Sequence, residues 1–329
     1  MSNLLARYAD AAFWMARYVE RAENLARVLD VNETFSRDTR GGRNWLSVLQ
    51  LYDDGERFHD RHDEATAAAV RHFYVLDPEN PGSILSAIRT ARENARTLRP
   101  LISTEMWVQL NIFHNRLRAL APEDLSEPRI ARLCGFIKES CQAHTGITEG
   151  TFYRDAGWSF YQMGRALERA DQATRLLDVK YHLLLPGPAA VGSPVDLSQW
   201  NALLRSASGY HAYRRVRPSG MTPTSVAGFL LFHDDFPRSV SACVKALGAT
   251  LADLRTRYGL AGGVQAMAEV EALRDSLEGT NIEAVVAGGL HEFIDGIQVR
   301  LMAITDGLSQ EFFGRASAGS EAPQAATEG

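Results

Sequence analysis

The chain has 329 residues, 45% of them hydrophobic and 23% charged, with a net charge of −5, enough for one large or two modest globular domains. The negative balance and the lack of any basic tract exclude nucleic acid or an anionic membrane as the principal partner. Apolar runs such as 183–185 and 229–232 fall far short of the ~20 residues needed to cross a bilayer; Arg7 and Asp10 interrupt any apolar leader, and three cysteines form no disulfide framework, so a cytoplasmic, reducing setting is expected.

From the N-terminus, Leu5, Ala12, Met15, Val19, Ala22, Ala26 and Leu29 recur at steps of three, four and seven, which predicts an amphipathic helix. Glu56, His59, His62 and Asp63 then sit in a polar run that a solvated helix or loop explains as well as metal binding does. Helices are expected over 82–99, 103–120 and 128–150. Within the last, Cys134, Cys141 and His144 spread over about 15 Å of helix, which suits small core residues and not shared ligands of one metal. Residues 186–194 form a Pro- and Gly-rich connector that stops the helix before it. Helical patterns resume over 238–256, 265–278 and 284–313. Pro81 and Pro237 are placed near the first turns of their helices, where a missing N–H costs nothing. His291 and Asp295 have the spacing of a zinc-protease helix, but aspartate stands where the second histidine belongs, and no metal is expected. Residues 315–329 read as a disordered tail. No segment combines β-branched enrichment with alternation, so the fold class is all-α.

The sequence also repeats. The 17 residues from Met15 to Val31 return from Met163 to Val179 with 9 identities. Trp45 then matches Trp200 at an offset of 155, and Phe73, Pro81 and Ser83 match Phe229, Pro237 and Ser239 at an offset of 156. The connector absorbs the slip. We therefore expect a tandem duplication of a helical bundle, residues 1–147 and 148–314, with two pseudo-equivalent halves packed together rather than an open solenoid.

At 100° per residue, Arg17, Glu20, Glu23, Asn24 and Arg27 fall on one stripe of the first helix, and Arg165, Glu168, Asp171, Gln172 and Arg175 on its counterpart. Ala9, Phe13 and Ala16, with Gly157, Tyr161 and Gly164 in the second copy, flank these stripes. Small residues at that spacing admit another backbone, so Glu20 and Glu168 are expected to be partly buried, and a buried carboxylate needs an arginine or a hydrogen-bond donor. Two readings remain open: ion pairs that fix helix register, or a quasi-symmetric site for a polar ligand or a charged partner segment. In the second, Arg17, Glu20, Arg21, Glu23, Arg165, Glu168, Arg169 and Asp171 are the binding residues.

Glu20-Arg21 and Glu168-Arg169, the stretches 91–96, 102–111 and 154–158, and the segment 228–240 together resemble the alpha-E family, helical bacterial proteins with a tandem Glu-Arg motif. The resemblance spans about residues 3–314. It implies a setting with circularly permuted ATP-grasp ligases, transglutaminase-like proteins and N-terminal-nucleophile peptidases, hence an accessory or binding role in ATP-dependent peptide or amide synthesis or modification. The alternative is an enzyme in which Glu20 and Glu168 act as acid–base groups. Asp171 stands where the first copy has Glu23, so a two-carboxylate role carries less securely to the second copy. No Gly-rich phosphate cradle and no nucleophile elbow is present, so neither ATP nor any other cofactor is expected on this chain.

Overall fold

A computed structural model describes residues 4–38, 45–183, 194–218 and 220–314. Among them are fifteen α-helices and no strand, so the chain is all-α. In chain order the helices are α1 (Ala6–Asp38), α2 (Leu46–Leu51), α3 (Gly55–His59), α4 (Ala67–Val75), α5 (Ile84–Thr97), α6 (Thr104–Arg118), α7 (Glu127–Thr151) and α8 (Ala156–Leu183). They continue as α9 (Pro194–Ser206), α10 (Tyr210–Val216), α11 (Pro223–Phe232), α12 (Val240–Tyr258), α13 (Val264–Glu278), α14 (Ile282–Gly288) and α15 (Leu290–Phe312). The tail 315–329 and most of the connector lie outside the described residues.

The two helices that carry the repeated stretch, α1 and α8, pack on each other at the centre of the molecule. Around α1 the contacts close in a ring through α5, α6 and α7; around α8 they close through α12, α13 and α15. Ala12, Met15, Ala22, Ala26 and Leu29 of α1 and Leu167, Ala170 and Leu177 of α8 are all buried in one continuous core. Burying both sides of such a helix leaves little room for large side chains. Gly164 shows why: a Cβ there would collide with the backbone carbonyl of Phe13.

Local chemistry sets the helix starts. Ser83, Ser103 and Ser239 each cap a helix by accepting the backbone N–H three residues on, which satisfies a donor that the helix itself leaves unpaired. These caps place Pro81 and Pro237 two residues before the N-cap, outside the helix, and not in its first turn as the sequence pattern suggested. The expected helix over 284–313 is two helices: apolar periodicity runs on through Gly288 and Gly289, but Gly289 takes φ +109°, which a helix cannot contain. The boundary at 147/148 falls inside α7, and the turn at 152–155 is what separates α7 from α8.

Candidate functional site

The stripe residues of α1 and α8 meet in a box of interlocked ion pairs. Glu168 is completely buried and held from α1: Arg17 Nε donates to Oε2 at 2.8 Å, and Arg21 donates through Nε to Oε1 at 2.7 Å and through Nη2 to Oε2 at 3.0 Å. Gln172 adds an amide N–H to Oε1 at 3.3 Å. Glu20 is also buried and is held from the opposite side. Arg169 Nε lies 3.0 Å from Oε2, a charge contact outside hydrogen-bond geometry, and Arg238 Nη1 donates to Oε1 at 2.5 Å. Thus the Glu-Arg pair of each helix exchanges partners with that of the other.

This exchange fixes the charge states. Burial by itself would raise the Glu168 carboxyl, but Arg21 and Arg17 together more than offset it and bring it down to about 2. Glu20 is likewise drawn below the ordinary carboxylate value: desolvation pushes it up, and Arg238 and Arg169 overcome that. Arg21 in turn is raised, chiefly by Glu168. Both glutamates are therefore anions, each held between two arginines.

The other stripe residues divide. Glu23 accepts from Arg27 one turn away at 2.5 Å, from Arg238 at 3.3 Å and from Gln142 at 3.4 Å. Asp171 pairs with Arg175 at 2.8 Å. Arg165 stays out of the box and bonds Glu149 at 2.9 Å and Gln162 at 2.5 Å. It has no counterpart to the role of Arg17, which grips Glu168 and reaches Thr305 of α15 at 3.2 Å.

A cavity of about 290 Å³ opens at one end of the box, beside Arg21, Asp171, Gln172 and Arg175. Tyr18, Tyr52 and Tyr74, the pair Asp54 and Arg57, and the turn Pro81-Gly82 complete its wall. Tyr52 donates to Gln172 Oε1 at 3.3 Å, and Arg57 to Asp54 Oδ1 at 2.5 Å. Burial raises the Asp54 carboxyl, and the pull of Arg57 does not fully offset it. Helix periodicity gave no sign of Tyr52, Asp54, Gly82 or Arg238, because all four lie in turns beyond the stripes. The aligned triplets Pro81-Gly82-Ser83 and Pro237-Arg238-Ser239 were the available signal.

A larger, more open cavity of about 680 Å³ lies elsewhere, along α11 and the starts of α12 and α14, and it includes His233, Asp234 and Lys245. Its main charges pair with one another: Lys245 Nζ is 2.8 Å from Asp234 and 3.5 Å from Glu278. Glu56, His59, His62 and Asp63 do not converge as a ligand set; His62 stacks on Phe58, and His59 Nδ1 meets the His62 carbonyl. Cys134, Cys141 and His144 are fully buried core residues. Among the described residues, ligand-type atoms come within 4.8 Å of one another at Asp178, His291 and Asp295. There both imidazole nitrogens already face carboxylates, Nδ1 at 2.7 Å and Nε2 at 3.4 Å. No helix among the described residues is long and apolar enough to cross a membrane.

Comparison with known proteins agrees with the motif at the centre of this box. The family model Alpha-E, described as a predicted alpha-helical domain with a conserved ER motif, matches residues 4–313. An uncharacterised protein of Mycobacterium bovis and those of two Mycobacterium tuberculosis strains are each 25% identical over 327 residues, which is 90% of this chain and 36% of theirs. The chain thus spans little more than a third of the length of these relatives. No solved structure gives a significant match.

Proposed function

The chain belongs to the Alpha-E family, and from the box its motifs form we propose that it is a non-catalytic accessory protein of an ATP-dependent peptide or amide synthesis system. In this reading it contacts a circularly permuted ATP-grasp ligase and a transglutaminase-like protein, in the cytoplasm, and holds or presents a charged segment of their substrate. The observation that carries the proposal is the locking of Glu20 and Glu168. A general acid or base must exchange a proton near the working pH and reach its substrate, whereas Glu168 is held at about 2 with no exposed surface and Glu20 is clamped by two arginines. Such a rigid, charge-balanced frame suits positioning and recognition. The cavity beside Arg21 and Asp171 supplies the surface on which recognition would act.

The test is reconstitution with a circularly permuted ATP-grasp ligase from the same organism. Co-purification of the two chains, and ligase turnover that falls when this chain is left out, are expected. Turnover of a peptide substrate by the isolated chain, lost in Glu20→Gln or Glu168→Gln variants that stay folded, would overturn the proposal in favour of an enzyme.

A further inference from the structure

Gly82 and Arg238 occupy the same place in two similar turns. Ser83 and Ser239, the residues that follow them, cap α5 and α12 identically. Each accepts the N–H three residues on, from Ser86 or Ala242, and each donates its hydroxyl at 2.7 Å to the carbonyl six residues back, that of Asp77 or His233. α5 packs on α1 and α12 packs on α8. Arg238 uses this position to cross to the opposite motif helix, where it bonds Glu20 at 2.5 Å, Asn24 at 3.0 Å and Glu23 at 3.3 Å. In the repeat alignment those three residues correspond to Glu168, Gln172 and Asp171.

On the other side position 82 offers no side chain. The 290 Å³ cavity is lined there by Gly82 itself together with Asp171 and Gln172. We infer that this cavity is a binding site for a guanidinium group, the group that Arg238 supplies from within the chain on the opposite side. The inference rests on the box and not on the association with a ligase.

The wall suits that ligand. Glu168 is already saturated by Arg17, Arg21 and Gln172, and Gln172 Oε1 accepts from Tyr52, so the carboxylates that line the cavity for an incoming guanidinium are Asp171, whose Oδ2 also takes Arg175, and Asp54. Asp54 is 6% exposed, and its Oδ1 takes Arg57. Its Oδ2 lies 3.9 Å from where a Cβ on Gly82 would stand, second only to Asn80 Oδ1 at 3.2 Å, which would have to give by a few tenths of an ångström. Arg57 is half in solvent, and burial keeps the Asp54 carboxyl above its usual value although Arg57 and a hydrogen bond from Tyr74 both pull it down. A second cation on Oδ2 would lower it further. Tyr18, Tyr52 and Tyr74 offer aromatic faces to a planar cation. Arg21, Arg57 and Arg175 are paired with Glu168, Asp54 and Asp171, so the wall is balanced in charge and the acetate control decides between a cation and an anion.

Isothermal titration of the full chain tests the site with agmatine, with a Gly-Gly-Arg amide peptide, and with acetate and butylammonium as controls. Both guanidine probes are expected to bind with one-to-one stoichiometry, and the controls weakly or not at all. Tighter binding of the peptide would name an arginine side chain in a chain as the occupant; tighter binding of agmatine would name a free small molecule. Gly82 does not need positive φ, so Gly82→Arg can fold with its own guanidinium in the cavity; it should abolish probe binding and raise the melting temperature. Asp171→Asn and Asp54→Asn, which serve even if Gly82→Arg fails to fold, should each weaken agmatine about tenfold, the loss of one charge-assisted hydrogen bond. No binding of either guanidine probe by the folded chain would overturn the inference. So would acetate binding as tightly as agmatine, or agmatine affinity left unchanged in all the variants.

Discussion

Gly164 of α8 rests directly on the carbonyl of Phe13 in α1, closer than any Cβ would allow. Its counterpart in the repeat is Ala16, which is also buried. The two motif helices can therefore approach until their arginines and glutamates interlock, and one missing methyl group sets that distance. Gly164→Ala should destabilise the chain by about 1–3 kcal/mol through overpacking, although in an exposed helix the same change would add roughly 1 kcal/mol. Urea unfolding reads the sign directly, and a stabilised variant would mean that the helices have room to part.

Glu168→Gln keeps the side-chain volume and removes the charge on which Arg17 and Arg21 converge. Breaking a buried pair from one side costs about 3–5 kcal/mol, so a large fall in melting temperature is expected. Arg165→Ala is the control from the same stripe. Its partner Glu149 is 41% exposed, so the change should stay within roughly 1 kcal/mol. Equal losses in the two variants would show that the box contributes nothing beyond surface pairing.

The depressed carboxyl of Glu168 also gives an acid signature. Its value of about 2 in the fold lies below the ordinary 4.5, so the stability it contributes is fully present above pH ~4.5 and is lost as pH falls through about 2. Thermal unfolding measured across that window should steepen in the wild type, and Glu168→Gln should flatten the slope. A slope that is the same in both proteins would place the acid sensitivity elsewhere.

Much of this arrangement could be read from residue spacing, and the reason is physical. Amphipathic periodicity placed α5, α6, α7, α12 and α13 to within a few residues, since each buries one face. The stripe and its small flanking residues pointed to buried Glu20 and Glu168 for the same reason. What spacing could not give was which charges would meet. Arg165 and Arg17 occupy equivalent positions, yet one turns to Glu149 and the other to Glu168, a choice made by neighbours distant in sequence. Arg238 and Asp54 lie in turns without period, and only the fold brings them to α1 and α8. Gly289 broke an apolar pattern that ran through it, because backbone dihedrals and not hydrophobicity ended that helix.

His291 near the start of α15 pairs with Asp178 near the end of α8. Nδ1 lies 2.7 Å from the Asp178 carboxylate, and Asp295 faces the other ring nitrogen at 3.4 Å. The hydrogen bond to Asp178, with the charges of Asp178, Asp295 and Glu292 behind it, raises the imidazole above its ordinary 6.5. A raised histidine stabilises the fold fully below its unfolded value, and the contribution is lost as pH rises through its folded value. Stability should therefore decline as pH rises above the ordinary 6.5 by an amount that Asp178→Asn reduces. Both sites are partly exposed, so salt should weaken the effect as well. Nuclear magnetic resonance titration of the His291 ring gives the direct reading: a midpoint at or below that of an ordinary histidine would remove this contact as a link between α8 and α15.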